Sequence, residues 1–195
     1  THVALVNQWA VAYDGTIAAG ARIGEDFTAA PNTAAFMAAL EHCADEFQIT
    51  QLDASRLSIH TKKFRAYIPC APLDMLAKIV PDNPCAVIND ALKIGFQTVI
   101  LEAYAKDTRI VSESVLLRSG SVIGTDGVTL LEYWHGIDLP TLVIPKVAAH
   151  ALTKIKKPLA RFGFSPVSAT FYFDDESWIR TGLYASAWPN LDPIL

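Results

Sequence analysis

The sequence predicts an α+β protein of two tandem domains, each with two helices on one face of antiparallel sheets. Two observations support this fold class. One is an internal repeat, because the order strand, Asp-Gly turn, strand, proline, helix and hairpin occurs twice in the 195 residues. The other is the apolar pattern, which alternates in short segments typical of strands and recurs at helical spacing in longer ones.

The repeat is clearest at two Asp-Gly pairs. Asp14 and Gly15 recur 112 positions later as Asp126 and Gly127, and Pro31 recurs 114 positions later as Pro145. An Asp-Gly pair between two apolar runs favours a tight turn between paired strands. The repeat therefore predicts a duplicated domain, and such repetition suggests assembly into a larger symmetric object.

In the first half, a helix is predicted from Thr33 to Phe47, with Asn32 or Thr33 as its N-cap. A hairpin follows, whose strands alternate apolar and polar residues on either side of Lys62-Lys63. The apolar stripe of the helix consists of Phe36, Leu40, Cys43 and Phe47.

The second half has a counterpart of each element and one additional helix. The additional helix is predicted from Ile88 to Lys106, before a strand from Val111 to Leu117. The counterpart of the first-half helix follows Pro145 and is ended by Pro158. A hairpin with its turn at residues 174–177 completes the unit. The stripe of the additional helix consists of Ile88, Leu92, Phe96, Val99 and Ala103.

The domain boundary is predicted within the proline-containing segment Pro81–Pro84. The first domain then covers residues 1–84 and lacks its first helix, and the second covers residues 85–195. Since Thr1 falls in a predicted strand, we expect the first domain to be truncated by about one helix.

Composition restricts the function. The chain is 51% hydrophobic and 18% charged, its net charge is -4, and no apolar run is long enough to span a bilayer. A cytoplasmic protein is therefore expected. A protein that binds nucleic acid through its overall charge would be basic, so any DNA contact requires a local basic surface. Three cysteines without a CxxC pattern argue against a disulfide framework or structural zinc.

Several segments, in order, resemble the beta sliding clamp family, the beta subunit of bacterial DNA polymerase III. VIGTDGVTL at residues 122–130 is similar to the family's VATDGHRLA, with Val-Thr in place of His-Arg. LVIPK at residues 142–146 resembles VIVPRK, and residues 183–191 resemble LVDGRFPDY. Residues 13–15 and 65–69 and the helix from Thr33 match the first domain more loosely. The resemblance implies tandem DNA-clamp domains and a non-catalytic processivity factor.

A sliding clamp holds duplex DNA through phosphate contacts, without reading sequence. The lysines placed to make such contacts are Lys93, Lys154, Lys156 and Lys157. The last three also suit a helix C-terminus, where the backbone dipole favours cations, and this alternative stays open. The helix after Thr33 carries Glu41, Asp45 and Glu46 and no lysine, so it would repel DNA.

The resemblance also implies a pocket for short peptides of polymerases and clamp loaders. The matching positions are Thr125, Gly127, Leu130, Pro189 and Ile194. The alternative is that Asp126-Gly127 is only a turn and that Leu130 and Ile194 belong to the hydrophobic core. The family completes this pocket with a third domain, for which this sequence has no counterpart.

An enzyme is the least favoured reading. Residues 132–138 place Glu132, His135 and Asp138 close together, but no nucleophile elbow, HExxH or nucleotide-binding glycine loop is present. No catalytic residue, metal or cofactor is therefore predicted. Two function classes are favoured over an enzyme that uses the His135 region: a homo-oligomeric ring around DNA, such as a trimer with six domains, and a clamp-fold protein-interaction module that does not encircle DNA.

Overall fold

The computed structural model describes residues 2–43, 46–101, 109–185 and 188–191. The chain forms two compact units, Thr1–Val80 and Pro81–Leu195. Each unit combines antiparallel sheet with helix, which confirms the predicted α+β class. None of the described helices is long and apolar enough to cross a lipid bilayer.

The first unit consists of one antiparallel sheet with a helix packed against it. Its sheet has the order β5-β6-β7-β4-β1-β2-β3, and the registers include Leu57 opposite Ile68. Its buried core contains Leu5, Phe36 and Ile59 from the first strand, the helix and the hairpin. The elements are β1 (Val3–Val6), β2 (Trp9–Tyr13), β3 (Ile17–Arg22), β4 (Thr28–Pro31), α1 (Thr33–Glu41), β5 (Gln48–Asp53), β6 (Arg56–His60) and β7 (Arg65–Ala71).

The second unit has two sheets and two helices in the described residues. The elements are β8 (Pro84–Val87), α2 (Asp90–Val99), β9 (Ser114–Leu117), β10 (Ser121–Thr125), β11 (Leu130–Trp134), β12 (Leu142–Pro145), α3 (Lys146–Lys154), β13 (Leu159–Ser165), β14 (Ser168–Phe173) and β15 (Trp178–Gly182). One sheet has the order β15-β14-β13-β8 and the other the order β11-β10-β9-β12.

The internal repeat is visible in the hydrogen bonds of the two Asp-Gly turns. The Asp14 carboxylate accepts from the backbone N–H groups of Thr16 and Ile17, both at 2.8 Å. The Asp126 carboxylate accepts from Val128 at 2.9 Å and Thr129 at 2.6 Å, so the same turn occurs 112 residues later. The strand orders match as well, because β4-β1-β2-β3 corresponds to β12-β9-β10-β11.

The helices are shorter than predicted. α1 begins after its N-cap Asn32 as expected but ends at Glu41. Phe47, directly before β5, lies outside the helix and is exposed. α2 begins after the N-cap Asn89, whose side chain accepts from the N–H of Ala91, and it ends at Val99. Residues 102–108, with the last predicted turn and Ala103, lie outside the described residues.

The strand predicted from Val111 also begins later, at Ser114. Its first residues form a turn instead, in which the Glu113 N–H donates to the carbonyl of Arg109. The helix after Pro145 and the hairpins at Lys62-Lys63 and residues 174–177 are confirmed.

A close approach of helix to sheet organises the second unit. A Cβ atom on Gly124 of β10 would lie 2.0 Å from the carbonyl oxygen of Val99, at the end of α2. Only glycine permits this contact. Beside it, Phe96 of α2 packs edge-to-face on Phe171 at 5.9 Å between centroids, and Phe171 packs on Phe162 at 5.2 Å. The opposite face of the β9–β12 sheet is thereby left to the candidate site.

Candidate functional site

An apolar cluster lies on one face of the sheet β11-β10-β9-β12. Leu116, Ile123 and Val143 come from three adjacent strands and are buried with Leu191. Successive side chains of a strand point to opposite faces, so the neighbours of Leu116 in β9 point away from this cluster. Leu130 and Trp188 pack against the cluster and are half-buried.

The segment after β15 crosses this sheet face and is attached to it at two points. The Tyr184 N–H donates to the carbonyl of Val143 in β12 at 3.1 Å. The Trp188 indole N–H donates to the Ser114 hydroxyl in β9 at 3.0 Å. Ser114 is fully buried and its hydroxyl also donates to the carbonyl of Ile110, so it is held in place for this contact.

Between this segment and the strands lies a pocket of about 550 Å³. A volume of this size suits a few side chains of a bound peptide. Arg118 is the one charged residue of its lining, and Thr141 and Asn190 are the polar uncharged ones. The rest are apolar or aromatic: Leu116, Leu142, Val143, Pro166, Leu183, Tyr184, Ala185, Trp188, Pro189 and Leu191.

The predicted peptide-pocket residues divide between this pocket and the nearby turn. Pro189 lines the pocket, and Leu130 contacts the apolar cluster beneath it. Thr125 and Gly127 belong to the Asp-Gly turn at the far end of β10, where the Gly127 N–H donates to the Thr125 hydroxyl at 3.0 Å. Ile194 lies outside the described residues.

The turn is well fixed. The Thr125 hydroxyl donates to the carbonyl of Thr129 at 2.6 Å, and Gly127 has a φ of 96°. Backbone N–H groups of Thr129 and Val128 donate to the Asp126 carboxylate and lower its pKa. The turn thus presents a rigid edge beside Leu130.

Of the residues that line the pocket, Pro189 alone was singled out from the sequence as a site residue; Leu116, Arg118, Val143 and Trp188 are among those that were not. Trp188 and Val143 fall in segments that resemble the clamp family, which was the available signal. Leu116 also falls in such a segment, since residues 107–117 resemble a strand of the clamp family. Arg118 gave no local signal, because its place in the pocket depends on the later segment that folds over β9.

The four lysines predicted to contact DNA have different environments. The Lys93 side chain is only 12% exposed, its ammonium lies 3.2 Å from the Asp90 carboxylate, and it donates to the carbonyl of Ile155 at 3.1 Å. Lys157 forms an ion pair with Asp175. Lys154 and Lys156 are exposed. Lys93 therefore stabilises the end of α3, while Lys154 and Lys156 face solvent.

Asp175 pairs with Lys157 at the protein surface. Hydrogen bonds from the Lys157 ammonium and the Ser177 hydroxyl lower the pKa of Asp175 from 3.8 to about 2. Both partners are nearly half exposed, at 49% for the lysine and 44% for the aspartate, so water screens the pair and its contribution to stability is small.

The exposed surface of the described helices carries little positive charge. It includes one lysine, Lys154, and two acids. The exposed helical residues are Ala34, Met37, Ala38, Glu41, Asp90, Ile94, Gln97, Thr98, Val147, His150 and Lys154.

The acid–histidine–acid segment does not form a paired catalytic group. His135 is 8% exposed, and its Nδ1 accepts from the N–H of Ile137 at 3.1 Å. Its Nε2 is buried without a hydrogen-bond partner in the described part of the chain, and burial lowers its pKa. Asp138 instead accepts from the Ser119 hydroxyl at 2.7 Å. Among the described residues, no three acidic, histidine or cysteine side chains are grouped to hold a metal.

Comparison with known proteins gives matches in three dimensions but not in sequence. No family model and no curated protein matches the chain. Among solved structures, it is similar to the Helicobacter pylori beta clamp bound to a DNA ligase peptide, with a TM-score of 0.76 and 17% identity, over 100% of this chain and 60% of that one.

Two further structures agree. The DNA polymerase III subunit beta of Pseudomonas aeruginosa has a TM-score of 0.79 and 14% identity, over 100% of this chain and 60% of that one. A putative beta subunit from Eubacterium rectale has a TM-score of 0.80 and 13% identity, over 99% and 59%. The chain spans about 60% of the length of these clamp chains. The resemblance seen in the sequence is confirmed at the level of architecture: both units together have the fold of the beta sliding clamps.

Proposed function

We propose that this chain supplies two domains of a DNA sliding clamp, which holds duplex DNA without sequence specificity and docks peptides of polymerases or clamp loaders. The observation that carries the proposal is the similarity to beta clamps along the whole chain. The clamp does no bond chemistry in this proposal and works in the cytoplasm as a homo-oligomer. Solution mass by light scattering tests the assembly, because a strict monomer at high concentration would exclude a ring formed by this chain.

Peptide docking is supported by the pocket of the second unit. A concave, mostly apolar site with a few polar groups is the usual form of a peptide or ligand site. Trp188 and Tyr184 provide large aromatic surfaces, the type of residue that contributes most to binding energy. Pro189 and Leu130 connect this pocket with the positions expected from the clamp resemblance. The Helicobacter pylori clamp was solved with a DNA ligase peptide.

DNA contact is supported by the exposed lysines at the end of α3 and directly after it. Lys154 and Lys156 are exposed to solvent. Lys157, next in sequence to Lys156, is paired with Asp175. Each lysine that neutralises a phosphate releases counterions, which favours binding at low salt. The overall charge of -4 does not oppose this, because an acidic remainder directs DNA to the basic segment.

The second candidate is a clamp-fold interaction module that docks peptides but does not hold DNA. The near-neutral exposed surface of the helices favours it, since Lys154 is the one lysine or arginine among those residues that could neutralise a phosphate. The two candidates share the pocket and differ only in DNA binding.

Duplex binding separates them. We would measure fluorescence anisotropy of a labelled 30-base-pair duplex between 25 and 200 mM salt, with the double variant Lys154→Glu/Lys156→Glu. The matched control is Lys62→Glu/Lys63→Glu, which reverses two exposed lysines in the hairpin turn of the first unit. The clamp proposal expects loss of binding in the first variant and near-normal binding in the control. Equal weakening of both, or no binding by the unmodified protein, would favour the interaction module.

A further inference from the structure

Arg118 stands out within the pocket. It is the only charged group among the described residues that line the pocket, whose walls are otherwise apolar apart from Thr141 and Asn190. Its guanidinium makes no hydrogen bond or ion pair to any residue in the described ranges, although the side chain is half-buried. The carboxylate of Asp138 accepts from the hydroxyl of Ser119, the residue next to Arg118.

An unpaired guanidinium beside an apolar wall has a definite chemical preference. It stays charged at all relevant pH values, and its planar fork matches the two oxygens of a carboxylate. A purely apolar ligand would cover the group without giving it a partner, at a cost in desolvation. The pocket therefore suits a ligand that carries both a large apolar group and a carboxylate.

The distance between the apolar wall at Leu116 and the guanidinium of Arg118 is set by the extended backbone of β9 and the residue that follows it. Leu116 and Arg118 are two residues apart and both line the pocket, so their positions are about 7 Å apart along the chain. Side chains two residues apart in an extended peptide have the same spacing and point to one side. An apolar residue and an acid at such positions could reach both groups at once.

We propose that Arg118 makes the pocket selective for partner peptides with an aspartate or glutamate two positions from a large apolar residue, the carboxylate binding the guanidinium. This inference rests on the proposed docking of peptides in the second unit. It adds a specificity determinant that the resemblance to clamps did not indicate.

The test uses hexapeptides with one leucine and one acid. The first has aspartate two positions from the leucine, the second has asparagine in its place, and the third has aspartate moved to the adjacent position. Their affinities for the full chain would be measured by calorimetry at 50 and 300 mM salt. The variants are Arg118→Gln, Arg118→Lys and, as a control, Arg65→Gln, which removes an exposed arginine of β7. Circular dichroism melting verifies that each variant is folded.

The unmodified protein and Arg65→Gln are expected to bind the first peptide roughly 3- to 10-fold more tightly than the other two, and less so at high salt. Arg118→Gln should lose this preference, and Arg118→Lys should retain part of it because lysine lacks the bidentate geometry. Equal binding of all three peptides to the unmodified protein, or a preference that survives Arg118→Gln, would overturn the inference while peptide docking stands. Absence of binding by every peptide would overturn both.

A labelled DNA duplex serves as a competitor in the same experiment. If the guanidinium instead binds a backbone phosphate, Arg118→Gln weakens duplex binding and leaves the peptide preference unchanged, which overturns the inference. Unchanged duplex binding together with a lost peptide preference supports it.

Discussion

The indole N–H of Trp188 donates to the hydroxyl of Ser114 across 3.0 Å, linking the segment after β15 to the first residue of β9. This bond joins residues 74 positions apart, and it holds Trp188, which lines the pocket. Much of what the second unit can bind depends on this segment staying in place.

Trp188→Phe tests that dependence. The phenyl ring keeps most of the apolar contact but cannot donate to Ser114, so we expect a loss of about 1 kcal/mol in the free energy of unfolding and weaker peptide binding. Urea unfolding and calorimetric titration with the hexapeptides measure the two effects. Trp134→Phe is the matched control, since Trp134 is 71% exposed and should be neutral. A similar response in both variants would show that the Trp188 hydrogen bond does not hold the segment.

Gly124→Ala should destabilise the protein strongly. The added methyl group would lie 2.0 Å from the Val99 carbonyl oxygen, so α2 must move away from β10, at a cost of at least about 3 kcal/mol. Thermal and urea unfolding provide the measurement. Gly182→Ala is the control in another strand, because its nearest neighbour atom lies at 4.0 Å and its substitution should be nearly neutral. Equal stabilities of the two variants would contradict the close packing of α2.

His135 should make stability depend on pH. Burial lowers the pKa of His135 below its usual 6.5, so at falling pH the unfolded chain binds a proton before the folded protein does. The stabilising contribution is therefore complete above pH 6.5 and is lost as the pH falls through the folded-state pKa. Urea unfolding at pH 7.5 and 5.5 measures the difference between these conditions.

His135→Gln is expected to reduce this loss, whereas His150→Gln, at an exposed position of α3, should behave like the unmodified protein. The same pH dependence in all three proteins would mean that His135 titrates in the folded state as it does in the unfolded chain.

Asp175→Asn should strengthen DNA binding if the clamp proposal holds. The substitution removes the carboxylate that pairs with Lys157 and frees its ammonium for a phosphate. We expect roughly two- to threefold tighter duplex binding at 100 mM salt and a salt dependence steeper by about one phosphate contact. Asp174→Asn changes the net charge equally at the neighbouring exposed position and serves as the control. Identical gains in both variants would show only the effect of net charge.

The architecture was largely predictable from the sequence, because its signals are local. Asp14-Gly15 and Asp126-Gly127 each specify a turn through a carboxylate that accepts nearby backbone N–H groups, and Pro145 leads directly into α3. Helix ends were less predictable. The apolar stripe that reaches Phe47 satisfies helical spacing, but pairing of β5 with β6 competes for the following residues and leaves Phe47 exposed.

The site was predictable only in part. The resemblance of their segments selected Pro189, which lines the pocket, and Leu130, which packs beneath it, but Lys93 was assigned to DNA on charge and helical position alone. In the folded chain its ammonium bonds to a carbonyl that follows α3, a contact between residues 62 positions apart. The sequence shows that a lysine is charged, but it does not show whether another residue of the folded chain already binds its ammonium group.

The sequence by itself determined the α+β class, the duplicated order of elements and the likeness to sliding clamps, since alternation, caps and turns act over a few residues. The tertiary structure alone decided that the segment ending at Leu191 folds over β9, that Trp188 meets Ser114, and that Arg118 lines an apolar pocket without a partner in the described residues. These features depend on contacts between distant residues, and the energies of such contacts come from burial and geometry that exist only in the folded chain.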